Sequence, residues 1–374
     1  MSASLSGAQN LPTVADAAVR KLTFTELLGW EHDDTLAAWR AFQTHCTALL
    51  AQSAPLRQGF PPSPEFLAIC AKAAAAPPLT TAEQARSFFE LHFQPIEIAP
   101  PSGAGFLTGY YEPEVEGSLV QTPQFRAPLL SKPDDVETIA PGETRVGIPA
   151  GFAAARRAAD GSLSVYPDRA AIQAGELGAN ALPLMWLRDD VEVFFLQVQG
   201  SGRVRLPGGT IRRIAYAGRN GHPYTTIGRV LVQEGHLPLE QAQLEPIKAW
   251  LRANPVEGQR IMQMNQSYVF FRIADELPAD AGPIGGAGLP LTPWRSIAID
   301  RTRWSYGLPV WIDAALPGQA QPFRKLTIAQ DAGSAILGPA RADLFHGSGP
   351  QAGVQAGGLR HPMRFVVLWP RQTP

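Results

Sequence analysis

The chain has 374 residues, 45% of them hydrophobic, and a formal net charge of −1. No apolar run approaches the ~20 residues of a membrane span, so the composition points to a soluble globular protein of one large domain or two ordinary ones. The even charge supplies no broad basic field for phosphates or anionic lipid, which excludes nucleic acid as a partner.

Gly and Pro number 35 each against 17% charged residues, so turns are frequent and long charged helices few. A mainly β fold with some helix (α+β) is predicted. Residues 1 to 20 are small and polar and predict a loosely held terminus. The first thirty residues show neither a basic-then-apolar signal segment nor a cysteine placed for lipid attachment.

"DDTLAAWRAFQTHCTALLAQ" then carries Leu36, Trp39, Phe42, Cys46 and Leu49 at helical steps, with Asp33 and Asp34 as cap candidates. "SPEFLAICAKAAAA" and "TTAEQARSFFELHF" repeat the pattern, and helix is expected to end at "QPIEIAPPSG". These stripes hold no convergent polar group and read as scaffold. Cys46 and Cys70 fall in the helical patterns without a C-x-x-C pair or a His at zinc spacing. They read as two buried small apolar residues, a disulfide being the alternative.

From Gly105 the chain turns to short strand-like runs broken by Gly and Pro, a spacing that suits a barrel or folded-over sheets. "PYTTIGRVLVQEGHLPLEQAQLEPIKAWLRANP" interrupts them as two predicted helices, Pro238 following the first and Pro255 closing the second.

Two groups of residues carry the candidate chemistry. Asp300, Asp331 and Asp343 each adjoin a strand signal among small residues, where a carboxylate has rigid support and open space, although Asp beside Gly also serves simply as a turn residue. Gln330-Asp331-Ala332-Gly333 lacks the hydroxyl of an aspartic-protease run and has no second copy. The other group is uncharged: Tyr110 and Tyr111 beside Glu112, Gln197 and Gln199 read as alternating outward along a strand, Ser201, and Tyr216, Asn220, His222 and Tyr224 in a Gly-rich loop. Flat aromatics with neutral hydrogen-bonding groups suit sugar rings, with their apolar faces and hydroxyl edges.

Together "GYYEPEVEGS", "QVQGSGRVRLPGGTIRRIAYAGRNGHPYTTIG" and "NQSYVFFR", followed by "SIAIDR", "AQDAGSAILG" and "RADLFHG", resemble the membrane-bound lytic murein transglycosylase A family over residues 100 to 374. The resemblance implies a double-psi β-barrel domain (3D domain) from residues 1–113 and 259–374, a second β domain inserted at 114–258, and a groove between them. It implies a peptidoglycan lytic transglycosylase that forms 1,6-anhydro-N-acetylmuramic acid, with Asp331 as the single acid/base. Asp300 and Asp343 would support it, and Tyr110, Tyr111, Gln197, Gln199, Ser201, Tyr216, Asn220 and Tyr224 would bind glycan.

No metal or other cofactor is expected. The partner would be peptidoglycan strands and the protein a monomer, periplasmic and outer-membrane associated through an anchor not seen in this chain. An Asp acting as acid must hold a proton near neutral pH, so its pocket is expected to be poorly solvated or close to another carboxylate. A two-carboxylate glycan hydrolase and a non-catalytic wall-binding protein remain as alternatives. The family run Asp-Thr-Gly-Gly-Ala-Ile appears here as Asp331-Ala332-Gly333-Ser334-Ala335-Ile336, and Ser334 is expected to be strained if its position needs a positive φ.

Overall fold

The computed structural model describes residues 14–140, 142–278, 280–316 and 321–371. Most of the expected loose terminus lies outside them, but Ala18–Lys21 is a strand paired with Phe93–Ala99. The chain divides into two compact units: one of residues 1–109, 285–345 and 359–374, the other of 110–284 and 346–358. The second unit runs past residue 258 because the helix Pro255–Gln263 packs on Leu244–Ala253 and the strand Val269–Ile273 pairs with Ile211–Arg219.

In the first unit α1 (Thr35–Leu50), α2 (Pro64–Ala75) and α3 (Ala82–His92) form as their periodicity predicts. Asp34 caps α1 by accepting from the Ala37 amide, Ser63 caps α2 ahead of Pro64, and Thr81 with Gln84 closes a capping box on α3. Asp33 is not a cap. It is buried, with its carboxylate bidentate to Arg295 at 2.8 and 2.9 Å.

Cys46 and Cys70 are joined in a disulfide between α1 and α2, so the reading of two unpaired apolar residues is corrected. Helix gives way to strand where "QPIEIAPPSG" was expected to end it, α3 stopping at His92 and the strand Phe93–Ala99 following directly. The helices cover a sheet whose core includes Trp39, Phe42, Phe66, Phe89, Trp311, Leu326 and Val366.

Eight strands form that sheet, in the order Ala18–Lys21, Phe93–Ala99, Arg360–Pro370, Pro309–Ala314, Phe323–Asp331, Ser296–Ala298, Arg341–Ser348 and Gly105–Glu112. The last strand also pairs with Arg360–Pro370, so six of the strands close on themselves. The pairing of Ser296–Ala298 with Phe323–Asp331 is parallel, whereas both pairings of Pro309–Ala314 are antiparallel.

The second unit has a six-stranded sheet, ordered Val269–Ile273, Ile211–Arg219, Ser201–Arg205, Glu114–Ser118, Pro183–Leu187 and Ala127–Leu130, and a small three-stranded one. Gln197 and Gln199 are helical, not strand residues: Asp189 caps the helix Asp190–Gln199 and Gly200 ends it at φ 81°. Pro255 follows one helix and opens another at its first turn, a place that suits its missing N–H. Among the described residues no helix is long and apolar enough to cross a membrane.

Candidate functional site

Asp331 is the last residue of the strand Phe323–Asp331 and pairs with Ala298, which on its other side pairs with Asp343. The two aspartates therefore flank one residue of the short middle strand. Asp331 is half-buried, and its Oδ1 accepts the Gly286 amide at 2.7 Å and the Ala332 amide at 2.8 Å, which fixes the carboxylate by rigid backbone.

The small residues around it now have a reason. A Cβ on Gly286 would stand 2.6 Å from the Tyr306 hydroxyl and 3.3 Å from Asp331 Oδ1, and one on Gly285 would stand 2.6 Å from the Gln330 carbonyl. Arg57, from the segment between α1 and α2, reaches the same place: its amide donates to the Gly286 carbonyl at 3.1 Å and its guanidinium donates to the Ala332 carbonyl. Arg57 and Tyr306 were not picked out by sequence, because neither lies in a motif and folding alone brings them to Asp331.

Asp343 is held by Thr108, whose hydroxyl donates to Oδ1 while accepting from Arg341 at 2.7 Å. Burial pushes the Asp343 carboxyl up to about 6. Arg341 and the Thr108 bond oppose that, and the Asp331 charge adds to it. A raised carboxyl is thus present beside Asp331, at Asp343.

Asp300 is a buried fastening. It accepts from the Thr302 amide and hydroxyl in an Asx turn and from the Gly338 amide at 2.8 Å, tying together the two loops beside the strand end. Ser334 is exposed and is not among the residues with positive φ, so the expected strain is absent.

The uncharged candidates lie in the second unit. Half-buried Tyr111 donates its amide to Gln199 Oε1 at 3.3 Å, and its ring lies against Gly353, where a Cβ would stand 2.8 Å away. Burial, with Glu245 and Glu192 nearby, raises the Tyr111 phenol to about 12, so it stays a neutral donor. Tyr110, Tyr216 and Tyr224 are half-buried, and Ser201 is buried at the start of its strand.

Gln197 and Asn220 are internal. Gln197 accepts from the buried Arg169 guanidinium at 2.6 Å and donates to the Val269 carbonyl. Asn220 donates to the Pro167 and Gln266 carbonyls and accepts from the Tyr268 amide. Their polar atoms hold loops together, which corrects the expectation of an outward-facing Gln197. His222 is likewise buried against the Tyr166 carbonyl at 2.6 Å.

Among the described residues one group of potential metal ligands converges, Glu234, His236 and Glu257, but Arg260 pairs with both glutamates.

This combination defines a two-part α+β protein: residues 106–272 match the MltA specific insert domain and residues 295–369 the 3D domain. The structure is similar to the crystal structure of a membrane-bound lytic murein transglycosylase from Agrobacterium tumefaciens, with 35% identity and a TM-score of 0.84 over 95% of this chain and 98% of that one. Membrane-bound lytic murein transglycosylase A of Vibrio cholerae is 36% identical over 56% of this chain, a match spanning 57% of that relative's length. MltA of Escherichia coli with bound chitohexaose is 25% identical, with a TM-score of 0.61 over 78% of this chain and 79% of that one. The chain belongs to the membrane-bound lytic murein transglycosylase A family.

Proposed function

We propose that the protein is a peptidoglycan lytic transglycosylase in which Asp331 is the single acid/base. The observation that carries this reading is the placement of Asp331: a carboxylate at a rigid strand end, its Oδ1 oriented by two backbone amides, with Asp343 across one strand residue. Its proton passes to the glycosidic oxygen as the bond from C1 of N-acetylmuramic acid to N-acetylglucosamine breaks. The C6 hydroxyl of the same muramic residue then attacks C1, giving its proton to Asp331 and closing a 1,6-anhydro ring without consuming water.

The family's double-psi β-barrel is proposed for the first unit, supported by the six strands that close on themselves. Glycan contact is proposed for Tyr110, Tyr111, Gln199, Ser201, Tyr216 and Tyr224, with Gln197 and Asn220 bracing them from inside. A periplasmic, outer-membrane-associated location is proposed: the relatives' printed name, membrane-bound, supports the membrane association, and the disulfide suits an oxidising compartment.

Digestion of purified murein tests the reaction: anhydro-muropeptides, one water lighter than hydrolysis products, are expected. Asp331→Asn should lower the rate by orders of magnitude and still bind glycan, and wild-type turnover by that variant would remove Asp331 from the mechanism.

One observation favours a second reading. The raised Asp343 carboxyl lies two strands from Asp331, roughly 10 Å by strand spacing, near the separation at which two carboxylates admit a water for inverting hydrolysis. Incorporation of oxygen from labelled water into the reducing end would favour it.

A further inference from the structure

We infer that Tyr306 is a positioning residue for Asp331, its phenol donating toward that carboxylate through one neutral hydroxylic oxygen seated in front of Gly286. The inference rests on the reading of Asp331 as acid/base. Four observations lead to it, all within the first unit.

The Tyr306 side chain is buried, and its hydroxyl has no hydrogen-bond partner among the described residues. A buried hydroxyl left unsatisfied costs about 1 to 3 kcal/mol, so such a group calls for a partner that arrives from outside the protein. The hydroxyl and Asp331 Oδ1 face the same small space: a methyl on Gly286 would lie 2.6 Å from one and 3.3 Å from the other, with the Ala332 amide nitrogen also at 3.3 Å. Sharing that point, the phenol oxygen and Asp331 Oδ1 stand less than about 6 Å apart, a gap that one oxygen hydrogen-bonded to both can bridge.

The ring is held firmly. A Cβ on Gly59 would stand 2.8 Å from its edge, so the bare backbone there lets the chain close against the ring. Burial and the Asp331 charge raise the phenol above its ordinary value, so it is a neutral donor at working pH. The charged groups facing Tyr306 are Asp331, Arg57 and Arg301, and Asp343 interacts with Asp331 from across Ala298. Buried His45 beside Gly307 is lowered to about 4 and is neutral there.

A donor serving the ionised carboxylate favours that form, so removing it makes proton retention easier. Tyr306→Phe keeps the ring and removes only the oxygen. It should fold with an unchanged melting temperature, digest murein about 5- to 50-fold more slowly, and move the alkaline limb of its rate profile upward by about half a pH unit. Gly286→Ala places a methyl 2.6 Å from the hydroxyl, which must then move, and should lose at least as much rate as Tyr306→Phe.

Chito-oligosaccharide affinity, measured in parallel, names the source of the oxygen. A tenfold loss in Tyr306→Phe identifies a sugar hydroxyl, and unchanged affinity with the shifted profile identifies water. Wild-type rate and pH profile in Tyr306→Phe, with Asp331→Asn inactive, would overturn the role of Tyr306 and leave that of Asp331 standing. An active Asp331→Asn would instead overturn the reading beneath it.

Discussion

At Asp343 a single carboxyl couples stability to pH. Its folded value of about 6 lies above the ~3.9 of an unfolded aspartate, so between these limits the folded state binds the proton more tightly. Stability therefore falls as pH rises from about 4 to about 6, and the full cost persists above that. Asp343→Asn removes a charge that burial disfavours and should stabilise the protein at pH 8 by on the order of 1 to 3 kcal/mol, with little effect at pH 4. Calorimetry at both pH values checks this, and equal shifts at both would show that the effect is not one of ionisation. Ser334 carries the opposite lesson. Its φ lies outside the left-handed region, so Ser334→Gly only adds freedom to the unfolded chain. A loss of a few tenths to about 1 kcal/mol in urea unfolding is expected, with activity unchanged, and a gain in stability would restore the idea of strain.

Among the elements, the disulfide spans the segment that reaches the candidate acid. Cys46 and Cys70 close a loop with a sequence separation of 24, and that loop contains Arg57, bonded to Gly286 and Ala332. Cys46→Ser should cost about 3 kcal/mol, since a loop of this length has lost that much entropy when unfolded. Matching losses with Cys70→Ser and with reductant are expected, and an unchanged melting temperature under reductant would show that α1 and α2 need no staple. The three helices were legible from their apolar steps and, for α1, from its cap Asp34, whereas the caps Ser63 and Thr81 were seen only in the structure. "VEVFFLQVQG" was not, because a β-branched and aromatic run reads as strand while Asp189 and Gly200 cap it as helix. Of the site, Asp331 was legible from its setting among small residues. Tyr306 and Arg57 were not, since their placement depends on contacts across a large sequence separation. The cysteine pair stayed open because helical periodicity gives the faces of α1 and α2 but not which turns meet.

The first unit as a whole is assembled from three stretches of chain, 1–109, 285–345 and 359–374, so its stability depends on contacts that join sequence-distant parts. The buried pair of Asp33 and Arg295 is one such joint. Asp33 accepts both guanidinium nitrogens and the Leu326 amide, and Arg295 also donates to the Leu326 carbonyl, so the start of α1 is fastened to the strand that ends at Asp331. Desolvation offsets much of the attraction in such a pair, but removing one partner strands the other as a buried charge. Asp33→Ala should therefore lower the stability of this unit by about 3 to 5 kcal/mol, seen in urea unfolding followed by tryptophan fluorescence, since Trp30, Trp39, Trp304 and Trp311 are all buried within it. The double variant Asp33→Leu with Arg295→Met leaves no buried unpaired charge, since Lys325, 3.9 Å from Asp33, is part-exposed, and should recover most of that loss, apart from the Leu326 amide and carbonyl that lose these partners. If Asp33→Ala alone costs less than about 1 kcal/mol, or the double variant is no better than the single, the pair is not the joint that holds α1 to the sheet.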